Sequence, residues 1–185
     1  MMTAVERGAL LRLARETLRA QLTGAAPPPD PEGTPSRFAG AFVTLRAGDE
    51  LRGCIGYPRG DRPLAEVVRQ CAVSAALEDP RFYPISADEL LQVTIEISVL
   101  GPIEPVTDVS RIAVGRHGLI VSSGSNRGLL LPQVAAEHGW SREVFLSQTC
   151  LKAGLAPDAW RRGASIAMFE AEVFAEDQVF RGESL

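Results

Sequence analysis

Residues 41–56 read AFVTLRAGDELRGCIG, and this stretch decides the fold of the first half of the chain. Its two strand-like runs, 41–45 and 51–56, are separated by Ala47-Gly48-Asp49, a sequence typical of a turn. The pattern predicts a β-hairpin whose second strand is the hexapeptide LRGCIG, residues 51–56.

The hexapeptide places a thiol, Cys54, between two glycines and two residues after Arg52. Glycine weakens the interior of a strand, so Gly53 and Gly56 indicate a bulge or a close approach by a ligand or another backbone. A neighbouring arginine favours the thiolate form of a cysteine, which suggests a reactive thiol. The alternative is a structural one, in which small residues let neighbouring elements pack closely.

The segments on either side of the hairpin predict the rest of this half. Residues 3–22 have the apolar spacing of an amphipathic helix, and residues 23–37 form a proline-rich connector. After the hairpin, Asp61 and Pro63 mark the start of a helix that carries Cys71 on its apolar side. A short helix from a capping-box sequence and the alternating strand Val93–Leu100 follow.

The second half repeats this order of elements. Arg52-Gly53 corresponds to Arg127-Gly128, and Glu96 in IEISVL corresponds to Glu170 in FEAEVF. We interpret residues 40–100 and 113–174 as two copies of a strand–helix–helix–strand unit, with chance similarity as the alternative. Strands covered by helices in this way predict an α+β domain.

Composition restricts the class of protein. The 185 residues carry a net charge of −4 without a basic block, so nucleic-acid binding is not predicted. The chain has no apolar run of the ~20 residues that a membrane helix needs, and its charged start does not resemble a signal peptide. Three cysteines without C-x-x-C spacing suit a reducing compartment, which predicts a cytoplasmic protein without disulfides.

Strand alternation brings several polar residues onto one face of the predicted sheet. Arg52 and Cys54 lie on the side opposite the helices, and Glu96 and Ser98 lie on the same side of the later strand. If both strands belong to one sheet, these residues line a pocket. Arg52 and Glu96 form either part of that pocket or a structural ion pair that leaves the thiol less activated.

A base for a catalytic thiol is scarce in this sequence. Only His117 and His138 are present, and His117 lies in a tight Arg-His-Gly turn where backbone bonding is the simpler explanation. There is no H-x-H or H-E-x-x-H sequence, so neither a metal site nor a cofactor is predicted.

Several ordered motifs resemble one known family. LRGCIG, PLAEVV, the run EDPRF at residues 78–82, IEISVL, GRHGLIV, LLLPQVA and the segment around Cys150 together resemble the AMMECR-type domain over residues 4–175. That family is named for the human critical region linked to Alport syndrome, midface hypoplasia and elliptocytosis. The positions that match its motifs are Arg52, Gly53, Cys54, Ile55, Gly56, Asp79, Arg81, Phe82, Glu96, Ser98, His117, Gln133 and Cys150.

The resemblance implies an α+β fold in which two repeats form a single barrel-like, mainly antiparallel sheet flanked by helices. It implies no established reaction. Bacterial and archaeal members are often associated with a Memo-like protein and a radical S-adenosylmethionine protein, which the resemblance therefore implies as partners.

Two hypotheses for the function follow, and they leave open whether the protein is an enzyme. The first is an accessory protein that acts with the Memo-like and radical S-adenosylmethionine proteins. The second is a thiol-dependent enzyme, or a binder of an unknown small molecule, with Cys54, Glu96, Ser98 and His117 as candidate catalytic residues. Its candidate ligand-binding residues are Arg52, Gly53, Gly56 and Arg81.

Overall fold

The structure is a computed structural model that describes residues 1–179. Its described residues form two compact units. The first contains residues 1–99 and 172–179, and the second contains residues 100–171. No helix within residues 1–179 is long and apolar enough to cross a membrane.

The first unit is a three-stranded antiparallel sheet covered by helices. Strand β1 lies in the centre and pairs with β2 on one side and β3 on the other. The apolar side chains that alternate along β1 and β3 face the helices, and the core between them includes the buried thiol of Cys71. The elements are α1 (Ala4–Thr23), β1 (Ala41–Ala47), β2 (Glu50–Tyr57), α2 (Leu64–Leu77), α3 (Ala87–Leu90), β3 (Val93–Leu100) and the short α6 (Glu176–Val179).

The predicted hairpin is present, but it contains one irregularity. Its turn is Gly48-Asp49, where a φ of 59° at Gly48 fits the first position of a type II′ turn. Leu45 pairs with Gly53 and Arg46 with Leu51, so Arg52 is the extra residue of a β-bulge.

The helix starts differ in how their first N–H groups are bonded. Thr3 caps α1 in a complete capping box with Glu6, so the predicted first helix is present. The predicted cap of α2 by Asp61 is wrong, because Pro63 occupies the N-cap position and has no side-chain bond to offer. Asp61 instead accepts a hydrogen bond from the hydroxyl of Tyr57 at 2.9 Å.

A polar cluster connects α6 to the rest of this unit. The guanidinium of Arg15 forms an ion pair with Glu176 and donates to the carbonyl oxygens of Leu90 and Val93, at 2.6 and 2.7 Å. Glu176 also accepts from the N–H of Ile95 at 2.8 Å. One arginine thereby connects α1, α3, β3 and α6.

The second unit has the same order of strands within its sheet. Strand β5 lies between β6 and β7, all antiparallel, and the two-residue β4 pairs with β7. Its core packs α5 against β5 and includes Phe145 and Leu146. The elements are β4 (Glu104–Pro105), β5 (His117–Ser123), β6 (Asn126–Leu130), α4 (Pro132–Glu137), α5 (Arg142–Lys152) and β7 (Ser165–Ala175), whose last residues belong to the first unit.

Antiparallel sheets with segregated helices confirm the predicted α+β class. The two units also share details. Gly48 and Gly124 both begin a two-residue turn with a φ of 59°, and Gly53 and Gly128 both lie beneath the end of a helix. Two proposed matches do not hold. The strand pairing places Ala167 at the position of Glu96, and it places Arg127 at the position of Leu51 because Arg52 is the extra residue of the bulge. The duplication itself stays a prediction.

Candidate functional site

The two glycines of the hexapeptide are required by packing within the first unit. A Cβ atom on Gly53 would clash with the carbonyl oxygen of Ala75 in α2, and one on Gly56 would clash with the ring of Phe42 on β1. Protein atoms therefore occupy the space in which a ligand was expected to approach the backbone. Close packing, the alternative given by the sequence, accounts for both glycines.

The backbone of Cys54 is held by two residues that follow α2. The N–H of Cys54 donates to the Asp79 carboxylate at 2.9 Å, and Arg81 donates to the Cys54 carbonyl at 3.3 Å. Arg81 also donates to both oxygens of Asp79, at 2.9 and 2.7 Å. We call this arrangement the Asp79–Arg81 clasp. It satisfies the outward-facing N–H and C=O of an edge strand with a carboxylate and a guanidinium.

The clasp is fully charged at neutral pH. The hydrogen bond from Arg81 is the largest of the effects that hold the pKa of the Asp79 carboxyl well below its usual range. Burial opposes this shift, and the N–H groups of Cys54 and Arg81 reinforce it. Asp79 in turn raises the pKa of Arg81. The carboxylate is buried, whereas half of the Arg81 side chain is exposed.

Cys54 lies in a row of polar side chains that crosses the sheet. Its partner in β1 is Thr44, whose other neighbour is Glu96 in β3, so the three side chains share one face. The Thr44 hydroxyl donates to the Cys54 sulfur at 3.3 Å, and the thiol is half-buried. Ser98 lies one row along, beside Phe42, and is buried.

Arg52 does not belong to this row, and its predicted pairing with Glu96 is wrong. The bulge at Arg52 interrupts the alternation of faces, and the guanidinium forms its ion pair with Glu89 in α3. The Arg52 side chain also lies over the ring of Phe82, 5.9 Å from its centroid. Strand alternation assumes one residue per register position, so a bulge makes it fail from that point.

His117 has its partners in the second unit. Its Nδ1 accepts a hydrogen bond from the N–H of Ala113 at 3.0 Å, and its Nε2 lies 4.0 Å from the carboxylate of Glu170. Local bonding within the turn, which was the simpler explanation from the sequence, therefore accounts for one ring nitrogen. No group of three metal-ligating side chains occurs among residues 1–179.

Aromatic and basic side chains surround the clasp at the surface. Two guanidinium groups lie over the ring of Phe82, that of Arg52 and that of Arg81, the latter 5.3 Å from the ring centroid. The next residue, Tyr83, is 90% exposed, and Leu91 at the end of α3 is also largely exposed. We call Arg81, Phe82 and Tyr83 the clasp rim.

Three members of the site were not identified from residue patterns alone. Thr44 looks like an ordinary strand residue, and the roles of Asp79 and Glu89 depend on contacts across the fold. The motif EDPRF at residues 78–82 was the available signal for the clasp. An aspartate two residues before an arginine, directly after a helix, can bond that arginine and a strand edge together.

The family model AMMECR1 matches residues 11–174. The chain belongs to the AMMECR1 family. A protein of Methanosarcina mazei is 41% identical, with 96% of this chain and 95% of that protein covered, and one of Thermofilum pendens is 47% identical, with 94% and 91% covered.

A solved structure supports the same fold for this AMMECR1-family chain. The crystal structure of an uncharacterized protein from Pyrococcus horikoshii matches with a TM-score of 0.86 at 40% identity. The match covers 91% of this chain and 90% of that protein. The names of these archaeal relatives state no activity.

Proposed function

We propose that this AMMECR1-family protein is an accessory protein that binds partner proteins and carries out no chemistry of its own. Its partners in this proposal are a Memo-like protein and a radical S-adenosylmethionine protein, as the family resemblance implies. The proposal places the protein in the cytoplasm, a reducing compartment that suits three cysteines present as thiols.

The clasp rim is the observation that supports this function. Tyrosine and arginine are the residue types that most often contribute large binding energies at protein interfaces. Tyr83 exposes almost its whole side chain, and Arg81 is fixed by the buried Asp79. A fixed arginine loses little conformational freedom on binding, so the rim is arranged in advance for contact with another protein.

The packing of the hexapeptide supports the same conclusion. Its glycines fit protein atoms, and its thiol-bearing backbone is held by the clasp. The motif thus builds a rigid support for the rim. This role explains why the sequence needs Gly53 and Gly56 without requiring a reaction, and the clasp bonds only the backbone of Cys54.

Co-purification tests the accessory role. The chain is produced together with a Memo-like protein and a radical S-adenosylmethionine protein, and a tag on this chain is used to isolate complexes. We expect at least one partner to be retained, and Tyr83→Ala to weaken that binding at least tenfold, the size of a typical hot-spot effect. Leu151→Ala, at an exposed apolar site in the second unit, is the matched control. Absence of both partners from the wild-type sample would contradict the proposal.

A second candidate function is a thiol-dependent enzyme or small-molecule binder centred on Cys54. The observation in its favour is the hydrogen bond that the Thr44 hydroxyl donates to the sulfur, with Glu96 in the same row. Such a bond stabilises a thiolate. Thr44→Val removes the donor with little change in shape, and it should slow the reaction of Cys54 with iodoacetamide severalfold if the row activates the thiol.

A further inference from the structure

The outer edge of strand β6 has backbone groups that nothing in the described residues bonds. Strand β6 pairs only with β5, through the two-residue turn Gly124-Ser125. In such a hairpin the closing pair, here Ser123 and Asn126, is hydrogen-bonded. Alternate residues then point their N–H and C=O groups away from β5, and these are Arg127 and Leu129.

The first unit shows what such an edge needs. Gly53 and Gly128 occupy equivalent places beneath a helix, so Leu129 follows Gly128 as Cys54 follows Gly53. The Asp79–Arg81 clasp satisfies the outward groups of Cys54. Within residues 1–179, no side chain or backbone group forms a hydrogen bond with the outward N–H or C=O of Leu129.

Positive charge lies beside this edge. Arg127 is exposed in β6, and the exposed Lys152 belongs to the last turn of α5, whose backbone packs against Gly128. Neither cation has a carboxylate within ion-pair distance among the described residues. The edge therefore combines unbonded backbone groups with two basic side chains that have no acidic partner.

We propose that the outer edge of β6 binds an extended, acidic segment of a partner protein, which adds a strand to the second sheet. The backbone of such a segment supplies the hydrogen bonds missing at Arg127 and Leu129, and its carboxylates pair with Arg127 and Lys152. A second copy of this chain fits poorly, because it would bring the same two cations to the same edge. This inference rests on the accessory role proposed above and names the kind of segment that the partner contributes.

Amide hydrogen exchange measured by NMR tests the proposal on the full chain. The probe is a capped seven-residue peptide of valine and threonine with two pairs of adjacent glutamates, because Arg127 points away from α5, which carries Lys152 and packs on the Gly128 face. Its matched control carries lysine in place of glutamate. We expect the acidic peptide to slow exchange at the amides of Arg127 and Leu129 at least tenfold, and to leave the amide of Cys54 unchanged. The lysine peptide should protect neither amide.

Two substitutions separate charge recognition from backbone pairing. Arg127→Glu should weaken binding of the acidic peptide at least tenfold, whereas Arg59→Glu, the same charge change at an exposed site of the first unit, should not. Leu129→Pro removes one N–H and should abolish binding. If that variant fails to fold, the result with Arg127→Glu still shows whether the edge of β6 recognises the acidic peptide.

Three results would overturn the proposal: no protection by the acidic peptide, equal protection by both peptides, or a dimer in light scattering of the chain alone at micromolar concentration. The outcome is separable from that of co-purification. Retention of the partners without peptide binding would reject the edge site and leave the accessory role standing. Peptide binding without retention of either partner would support the edge site and reject the accessory role.

Discussion

The glycine at position 53 has little freedom to change. A methyl group there would meet the backbone carbonyl of Ala75, which cannot move without disturbing α2. We therefore expect Gly53→Ala to lower the free energy of unfolding by about 1–3 kcal/mol, the usual cost of overpacking. Gly60→Ala is the control, because its Cβ would have no atom nearer than 3.8 Å. Urea unfolding of the two variants gives the comparison, and equal stabilities would refute the packing argument.

The three thiols should differ in reactivity. Cys54 is half-buried, whereas Cys71 and Cys150 are buried, and burial raises the pKa of Cys71 to about 11. Burial also raises the pKa of Cys150. We expect iodoacetamide at pH 8 to modify Cys54 first, because the thiolate is the reactive form and access is required. Mass spectrometry of the labelled peptides identifies the site, and Cys54→Ser should remove the fast phase with a stability change within about 1 kcal/mol.

The clasp should make stability depend on pH in the acid range. The pKa of Asp79 is lower in the folded protein than its ordinary value of 3.8, so its contribution is fully present above that value and is lost as the pH falls through the folded pKa. We expect Asp79→Asn to be less stable than wild type at pH 7 by about 1–3 kcal/mol, since it leaves buried hydrogen-bond partners unsatisfied. The difference should shrink below pH 4. A constant difference from pH 7 to pH 2.5 would show that the carboxylate charge is unimportant.

At the scale of elements, the ion pair between Arg15 and Glu176 joins the two ends of the first unit. Both side chains are more than four-fifths buried, and Arg15 also satisfies two carbonyl oxygens. We expect Glu176→Gln to cost about 2 kcal/mol or more, because it leaves a partly buried guanidinium without its counter-charge. The exposed pair of Arg19 and Glu16 is the control, and Glu16→Gln should cost less than about 1 kcal/mol. Thermal unfolding at pH 7 measures both.

The elements themselves were largely predictable from sequence, because their signals are local. A strand-like run beside a turn predicted β1, alternation predicted β3, and apolar spacing predicted the helix that contains Cys71. The capping-box sequence at Ser86 correctly predicted the start of α3. The predicted N-cap at Asp61 is wrong because its side chain accepts a hydrogen bond from Tyr57 instead. Residue preferences at helix starts do not take such competing partners into account.

The site was less predictable, because its geometry depends on irregular and long-range features. Apart from the glycine that follows it, no residue pattern places the bulge at Arg52. The ion pair between the Arg52 side chain and Glu89 was therefore not predictable. The clasp joins Cys54 to Asp79 across 25 positions. The alignment of Cys54, Glu96 and Ser98 on one face did follow from alternation, since no bulge intervenes between Cys54 and Gly56 or within β3.

At the scale of the molecule, the first unit is discontinuous in sequence. Its N-terminal residues bond to the returning chain, with the N–H of Met2 and the side chain of Arg7 donating to Glu172, and Phe174 is buried in its core. We expect residues 1–99 alone to lack a cooperative thermal transition in circular dichroism. Replacing residues 102–169 by a short glycine-rich linker should restore one, because the N–H of Gly101 lies 2.8 Å from the carbonyl oxygen of Glu170. A cooperative transition in residues 1–99 alone would contradict this view.

The tight fit of Gly53 and Gly56 affects how genetic experiments on this protein should be interpreted. A marginally stable variant is removed by proteases and chaperones in the cell, so a change of one or two kcal/mol alters the amount of protein severalfold. A strain carrying a substitution at either glycine would therefore show a defect through low abundance, even if the hexapeptide has no part in chemistry. Measuring the steady-state level of each variant alongside its phenotype would separate a missing protein from an inactive one.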